Sequence, residues 1–197
     1  MAATLLIIGV VTTLGFLLVL FVEGALRSGY RPMYHAGSEL ALGDRGWIQI
    51  ANFLQMGLGM LAFAVGVARA LDTVAGPIFL AVFGFLLIVS GVFVEDPLRG
   101  YPPGVEATVS RSGKIHRAAG PLAFLALFVA ALFLAGQLDG VWRGYTLVTA
   151  VLGFGFMAWT GFSFQRDFEY TGLVQRGLLL VYFTWIAVLG VHLTLSL

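Results

Sequence analysis

Cysteine is absent from the 197 residues, which excludes disulfides, thiolate zinc sites and covalently attached haem and leaves the redox compartment open. Charge is scarce too: 11% of residues are Asp, Glu, Lys or Arg, against roughly 25% in soluble proteins. Eleven basic residues are offset by ten acidic ones for a net charge of +1, so no basic surface awaits a nucleic acid. Several catalytic signatures are missing as well. The glycine spacing from Gly104 to Lys114 is wrong for a phosphate loop, and no His-Glu-x-x-His occurs. Ser38 does not sit in a Gly-x-Ser-x-Gly elbow. There is no internal repeat and no low-complexity stretch.

What is present is apolar. Hydrophobic residues make up 59% of the chain, and the mean hydropathy is +0.96. A bilayer core needs about 20 apolar residues per crossing. Such stretches run at about Ala3–Val22, Trp47–Val67, Val74–Val94, Ala118–Leu138, Tyr145–Phe164 and Gly177–Leu197. Backbone polar groups in lipid must be satisfied internally, so these are helices. The expectation is an all-α polytopic membrane protein, residues 1–197 forming one six-transmembrane-helix domain. The first stretch is too long for a signal peptide, has no basic start and ends in Glu23, so it reads as a retained helix.

The charges are not spread evenly. Arg27, Arg31, Arg45, Arg99, Arg111, Lys114, Arg117, Arg166 and Arg176 flank the first, third and fifth connections, leaving Arg69 and Arg143 for the others. Eight of the ten acidic residues share the odd connections. Consecutive spans alternate direction, so these connections open on one side of the membrane. Counted alone, Lys and Arg put that side in the cytoplasm. The accompanying acidic residues instead make the arginines partners in a polar site.

Candidate chemistry gathers there. In the first connection, a short helix over Tyr34–Leu42 would place His35, Ser38 and Glu39 on one face at i, i+3 and i+4. In the third, Pro97 is expected to end the third helix with Glu95 and Asp96 in its last turn. Carboxylates are disfavoured at that pole and call for a cation. His116 follows, where an imidazole can ligate a metal or accept a proton. Arg117 and Arg176 open the fourth and sixth helices, and Glu23 ends the first, so cross-helix ion pairs among these arginines and carboxylates are expected. Within the second span, Gln49, Asn52 and Gln55 recur at i, i+3 and i+6, a polar stripe that should point inward. Trp47, Trp142 and Tyr145 fit interfacial anchors. Glycines within the spans fit close helix packing. The residues leave the cofactor open. A divalent metal fits His35, Asp96 and His116 as a ligand set. A haem is disfavoured, since it needs two facing histidines at one depth and only His35 and His116 could supply them. His192 lies at the far end of the sixth span.

Three blocks carry a family resemblance. The first is Arg31-Pro32 through Ser38-Glu39-Leu40, with Gly46-Trp47-Ile48-Gln49 and Asn52-Phe53. The second is Gly91-Val92-Phe93, Asp96-Pro97 and Gly100-Tyr101-Pro102-Pro103-Gly104, followed by His116. The third is Gln175-Arg176. In that order they resemble a bacterial and archaeal membrane family, the domain of unknown function 998. The resemblance implies a six-helix fold and a shared polar face, without an activity. Members of that family tend to have basic termini and a basic second loop, which places the motif face outside the cytoplasm. This chain has only Arg69 in its second loop. An extracytoplasmic motif face in a plasma membrane is the expectation.

Two functional classes follow. One is an enzyme or binder of a membrane lipid or other amphipathic ligand. There Asp96 and His116 act as acid–base or metal groups with Ser38 and Glu39 assisting, and Trp47, Gln49, Asn52, Gln175 and Arg176 hold the ligand. The other is a non-catalytic accessory subunit or small transporter component, with a membrane-protein partner or a second copy of itself and its charges locked in ion pairs.

Overall fold

The computed structural model describes residues 1–197. Six α-helices follow one another: α1 (Ala2–Leu26), α2 (Gly46–Leu71), α3 (Ala75–Val92), α4 (Arg111–Ala135), α5 (Gly140–Gln165) and α6 (Thr171–Leu195). One 3-10 helix, Gly37–Ala41, lies in the first connection. The α-helices run 18 to 26 residues, or about 27–39 Å at 1.5 Å per residue, enough to cross a hydrocarbon core. All six are long and apolar enough to span, and the chain is an integral membrane protein.

Each helix packs on its neighbour in sequence and α6 returns to α1, closing a ring. The interior is filled by large side chains such as Met56, Met60 and Phe63 of α2, Phe83 of α3 and Tyr182, Phe183 and Trp185 of α6. Phe16 of α1 is wedged edge-on between Phe53 and Phe183, with ring centres 5.6 and 5.4 Å away. Glycine sets the closest approach. A Cβ on Gly57 would lie 2.7 Å from the Gly84 carbonyl oxygen, so α2 and α3 touch backbone to backbone as small residues permit. Outward positions such as Val11, Leu14 and Leu18 of α1 and Val148 and Val151 of α5 are exposed, as a lipid-facing surface requires.

The helix ends differ from the sequence expectation at the motif face. α3 stops at Val92, where Phe93 turns extended and its N–H closes the last turn on Val89. Glu95 and Asp96 therefore lie beyond the helix, not in its last turn, and Pro97 is not the terminator. α4 begins well before Ala118, because Ser110 caps it by accepting the Gly113 N–H at 3.0 Å. The segment around His35 is not the helix expected: the 3-10 turn starts at Gly37. With about three residues per turn, and His35 outside it, the i, i+3, i+4 face does not form.

Candidate functional site

The three charged connections are knitted together by arginines. Arg99, in the third, reaches Asp167 of the fifth through Nε at 3.2 Å. It also reaches the Tyr34 carbonyl of the first through Nη1 at 3.0 Å. Its guanidinium lies 3.7 Å from the Tyr34 ring centre, and the Tyr34 hydroxyl donates to Asp167 at 2.7 Å. That hydroxyl and Arg99 hold the Asp167 carboxyl below its ordinary range. Arg176 of α6 donates to the carbonyls of Pro32, His35 and Gly172 and to the Tyr30 hydroxyl. Gln175 accepts the Gly37 N–H at 2.8 Å. These contacts place the odd connections on one face of the bundle.

The expected ion pairs form, with one exchange of partners. Arg117 binds Glu95 at 2.6 Å and Asp96 at 3.1 Å. Glu23 pairs with Arg27 at 2.8 Å and with Arg45, not with Arg176. Arg176 has no carboxylate at all. The loop folds back over it, and carbonyl dipoles of the first connection take the place of an anion.

Beneath this lattice lies a cavity of about 330 Å³. Its membrane-side walls are apolar and largely aromatic, including Phe16, Phe53, Phe124 and Phe183. Gly120 and Pro121 of α4 and Gly161 and Phe164 of α5 also line it. These four are partly or fully exposed on the bundle's outer surface, so the cavity reaches the lipid side between α4 and α5. A Cβ on Gly120 or Gly161 would meet nothing within 4 Å. Its polar end carries Ser38, Glu39, Gln49, His116 and Gln175.

Three of these groups carry a polar atom with no partner in the chain. Glu39 is 3% exposed, and its Oε2 has no hydrogen-bond partner. Burial pushes its carboxyl up to about 8, against the pull of nearby Arg99. Gln49 is fully buried, and its Nε2 is likewise unpartnered. A ladder of amides fixes which way it faces. Gln55 Nε2 donates to the Thr12 carbonyl and to Asn52 Oδ1, both at 3.1 Å. Asn52 Nδ2 donates to the Phe16 carbonyl at 3.1 Å and to Gln49 Oε1 at 3.2 Å. Backbone carbonyls only accept, so the rungs share one polarity and Gln49 is left with its NH₂ free.

His116 follows the same logic. Its Nδ1 lies 3.0 Å from the Ser90 carbonyl and 2.9 Å from that of Phe93. Both are acceptors at the end of α3, where helical carbonyls lack partners. Nδ1 therefore carries the proton, and Nε2 is the nitrogen without a partner in the chain.

The sequence candidates divide accordingly. Ser38, Glu39, Gln49, His116 and Gln175 meet at the cavity. Asn52 stands behind Gln49 and orients it. Asp96 is buried but is not on the cavity wall: it accepts the Ser110 N–H on both oxygens at 3.1 Å and packs against Gly113. Burial raises its carboxyl, and the Ser110 and Arg117 hydrogen bonds outweigh that, so the net direction is down. His35 lies away from the cavity with both nitrogens engaged. Nδ1 accepts the Arg31 N–H at 2.8 Å, and Nε2 faces the Arg99 carbonyl at 3.3 Å. Burial, then the charges of Arg31, Arg99 and Arg176, lower its pKa. Arg176 is occupied by loop carbonyls, and Trp47 is 67% exposed at the start of α2. No three His, Asp or Glu side chains come together as a metal-ligand group. Sequence reasoning missed the lateral opening; unmatched glycines at 120 and 161 were its only trace.

Residues 10–192 match the family described as protein of unknown function (DUF998). That match spans nearly the whole chain, and the chain belongs to the family. No curated protein and no solved structure matches it.

Proposed function

We propose that this DUF998 member binds a lipid-like, amphipathic molecule, which enters sideways between α4 and α5 and brings its head group to Glu39, Gln49 and His116. One observation carries the reading: a cavity open to the lipid side is lined by Glu39 and Gln49, each with a buried polar atom that has no partner in the chain. Unpaired buried donors and acceptors cost free energy, and polar groups inside a membrane are functional candidates by default. The same groups supply means of processing the molecule. His116 accepts a proton at Nε2, Glu39 in its protonated form donates one, and Ser38 offers a hydroxyl on the same wall.

The test is to fill the opening. Gly161→Trp alters an exposed surface, so the folded fraction should match wild type, while lipid co-purifying with the protein should fall at least several-fold by extraction and mass spectrometry. Unchanged lipid content in this variant would sink the lateral route.

The paired charges support a second reading. Glu23, Glu95, Asp96 and Asp167 all have arginine partners, as a non-catalytic accessory module held together by ion pairs would show. A heteromeric mass for the complex extracted from its own membrane, with no lipid adduct, would favour it. For location we propose a bacterial or archaeal plasma membrane with the motif face outside the cytoplasm, on the strength of the family's loop-charge pattern. The cysteine-free chain makes the check clean. Val105→Cys should react with an impermeant maleimide in intact cells and Thr73→Cys should not; the reverse pattern inverts the topology.

A further inference from the structure

The chemistry of the head group can be read from what the cavity wall leaves unused. Two cationic side chains touch the cavity, and neither is free. Arg117 is claimed by two carboxylates, Glu95, which also lines the cavity, and Asp96. Arg99 is neutralised by Asp167 and further bound to the carbonyls of Tyr34 and Phe168. A phosphate or carboxylate head would have to break these pairs to gain a counter-charge, in a site whose low dielectric makes an uncompensated charge costly. The atoms there without a partner belong to neutral groups: Gln49 Nε2, Glu39 Oε2 and the lone pair at His116 Nε2.

We infer that the site selects a hydroxyl-bearing, uncharged lipid head group, with the hydroxyl oxygen accepting from Gln49 and its proton donated to His116 or Glu39. A hydroxyl is the smallest group that is donor and acceptor at once. An ester or ketone would satisfy Gln49 and leave the His116 acceptor bare, and an ionised phosphate, whose oxygens also only accept, would do the same while bringing a charge. The Glu39 carboxyl, held up by burial, is largely protonated at neutral pH and so adds no anion to attract a cationic head. The amide ladder makes the preference rigid. Reversing Gln49 would set its Oε1 against the cavity and its NH₂ against the Asn52 NH₂, and Asn52 is pinned in turn by the Phe16 carbonyl. Asn52 and Gln55 are thus positioning residues for head-group recognition.

This rests on the amphipathic-ligand reading, and its test separates the two. Delipidated protein in detergent is titrated with dioctanoylglycerol, farnesol and dioctanoyl phosphatidic acid, with binding followed by native mass spectrometry and by thermal shift. At least one of the two hydroxyl lipids should bind ten-fold or more tighter than phosphatidic acid; which one wins tells a glycerol from an isoprenoid alcohol. Gln49→Leu should lose that discrimination at least ten-fold. Gln49→Met, which nearly keeps the size and removes the donor, should lose it too, so a poorly folded leucine variant leaves the inference exposed to test. Asn52→Leu should weaken hydroxyl-lipid binding with Gln49 intact. Phosphatidic acid binding as well as or better than the alcohols, and blocked by Gly161→Trp, would overturn the head-group assignment and leave the lipid cavity standing. No binding by any of the three would overturn both.

Discussion

His35 and His116 are both buried at the same end of the bundle, yet they belong to opposite kinds of structure. Around His35 the polar atoms are used up: both ring nitrogens are engaged, Tyr30 and Arg176 hold the loop carbonyls, and Glu23 takes two arginines. Arg27 Nε is the exception there. Around His116 the wall is left incomplete, with Glu39 Oε2 and Gln49 Nε2 unmatched and the second ring nitrogen free. Burial and polarity alike fail to tell these regions apart. The difference is whether the chain answers its own donors and acceptors beside the cavity: around His35 it does, and around His116 it does not, which is the basis of the proposed ligand site.

The sharpest way to break this contrast is to damage the satisfied region. Arg176→Leu removes the donor shared by three carbonyls and the Tyr30 hydroxyl, at a cost of about 3 kcal/mol or more. The expected outcome is a steep fall in melting temperature and folded yield. An unchanged melting temperature would show that the loop does not depend on it. Asp96→Asn should do less, about 1–2 kcal/mol, because an oxygen still accepts from Ser110 and Arg117 keeps Glu95. Lipid binding should survive in whatever fraction folds.

A separate effect is that of pH through Glu39. Its folded pKa of about 8 stands above the ordinary value of 4.5, so folding favours the protonated form. The stability it contributes is complete below about 4.5 and lost as pH rises through about 8. Glu39→Gln should therefore flatten the decline in melting temperature between pH 5 and 8 relative to wild type. Asp96 and Asp167, held low, act at more acid pH in both proteins and cancel in the comparison. Parallel curves for the two proteins would mean that Glu39 is already ionised near pH 5.

Much of this was legible in the amino-acid order. Six apolar runs predict six spans, and the i, i+3, i+6 spacing of Gln49, Asn52 and Gln55 predicts one inward stripe, because both depend only on local periodicity. Pairing of Arg117 with Asp96 was also anticipated, although from a helix pole that Asp96, lying beyond α3, does not occupy. What lay out of reach depends on the path of the loops. Arg176 serves carbonyls that come within range only because the first connection folds over α6. His35 and Glu39 part company because the local turn is 3-10 and starts after the histidine. The direction of the Gln49 amide needs the Thr12 and Phe16 carbonyls of another helix, and no spacing rule reports those.

The most direct test of used against unused polar atoms is a native mass spectrum of three proteins extracted gently from their own membrane: wild type, Gln49→Leu and Asp96→Asn. A lipid-sized adduct on wild type and Asp96→Asn, lost from a folded Gln49→Leu, is the predicted result. An adduct that survives Gln49→Leu, or one that disappears with Asp96→Asn while the fold is intact, would contradict it.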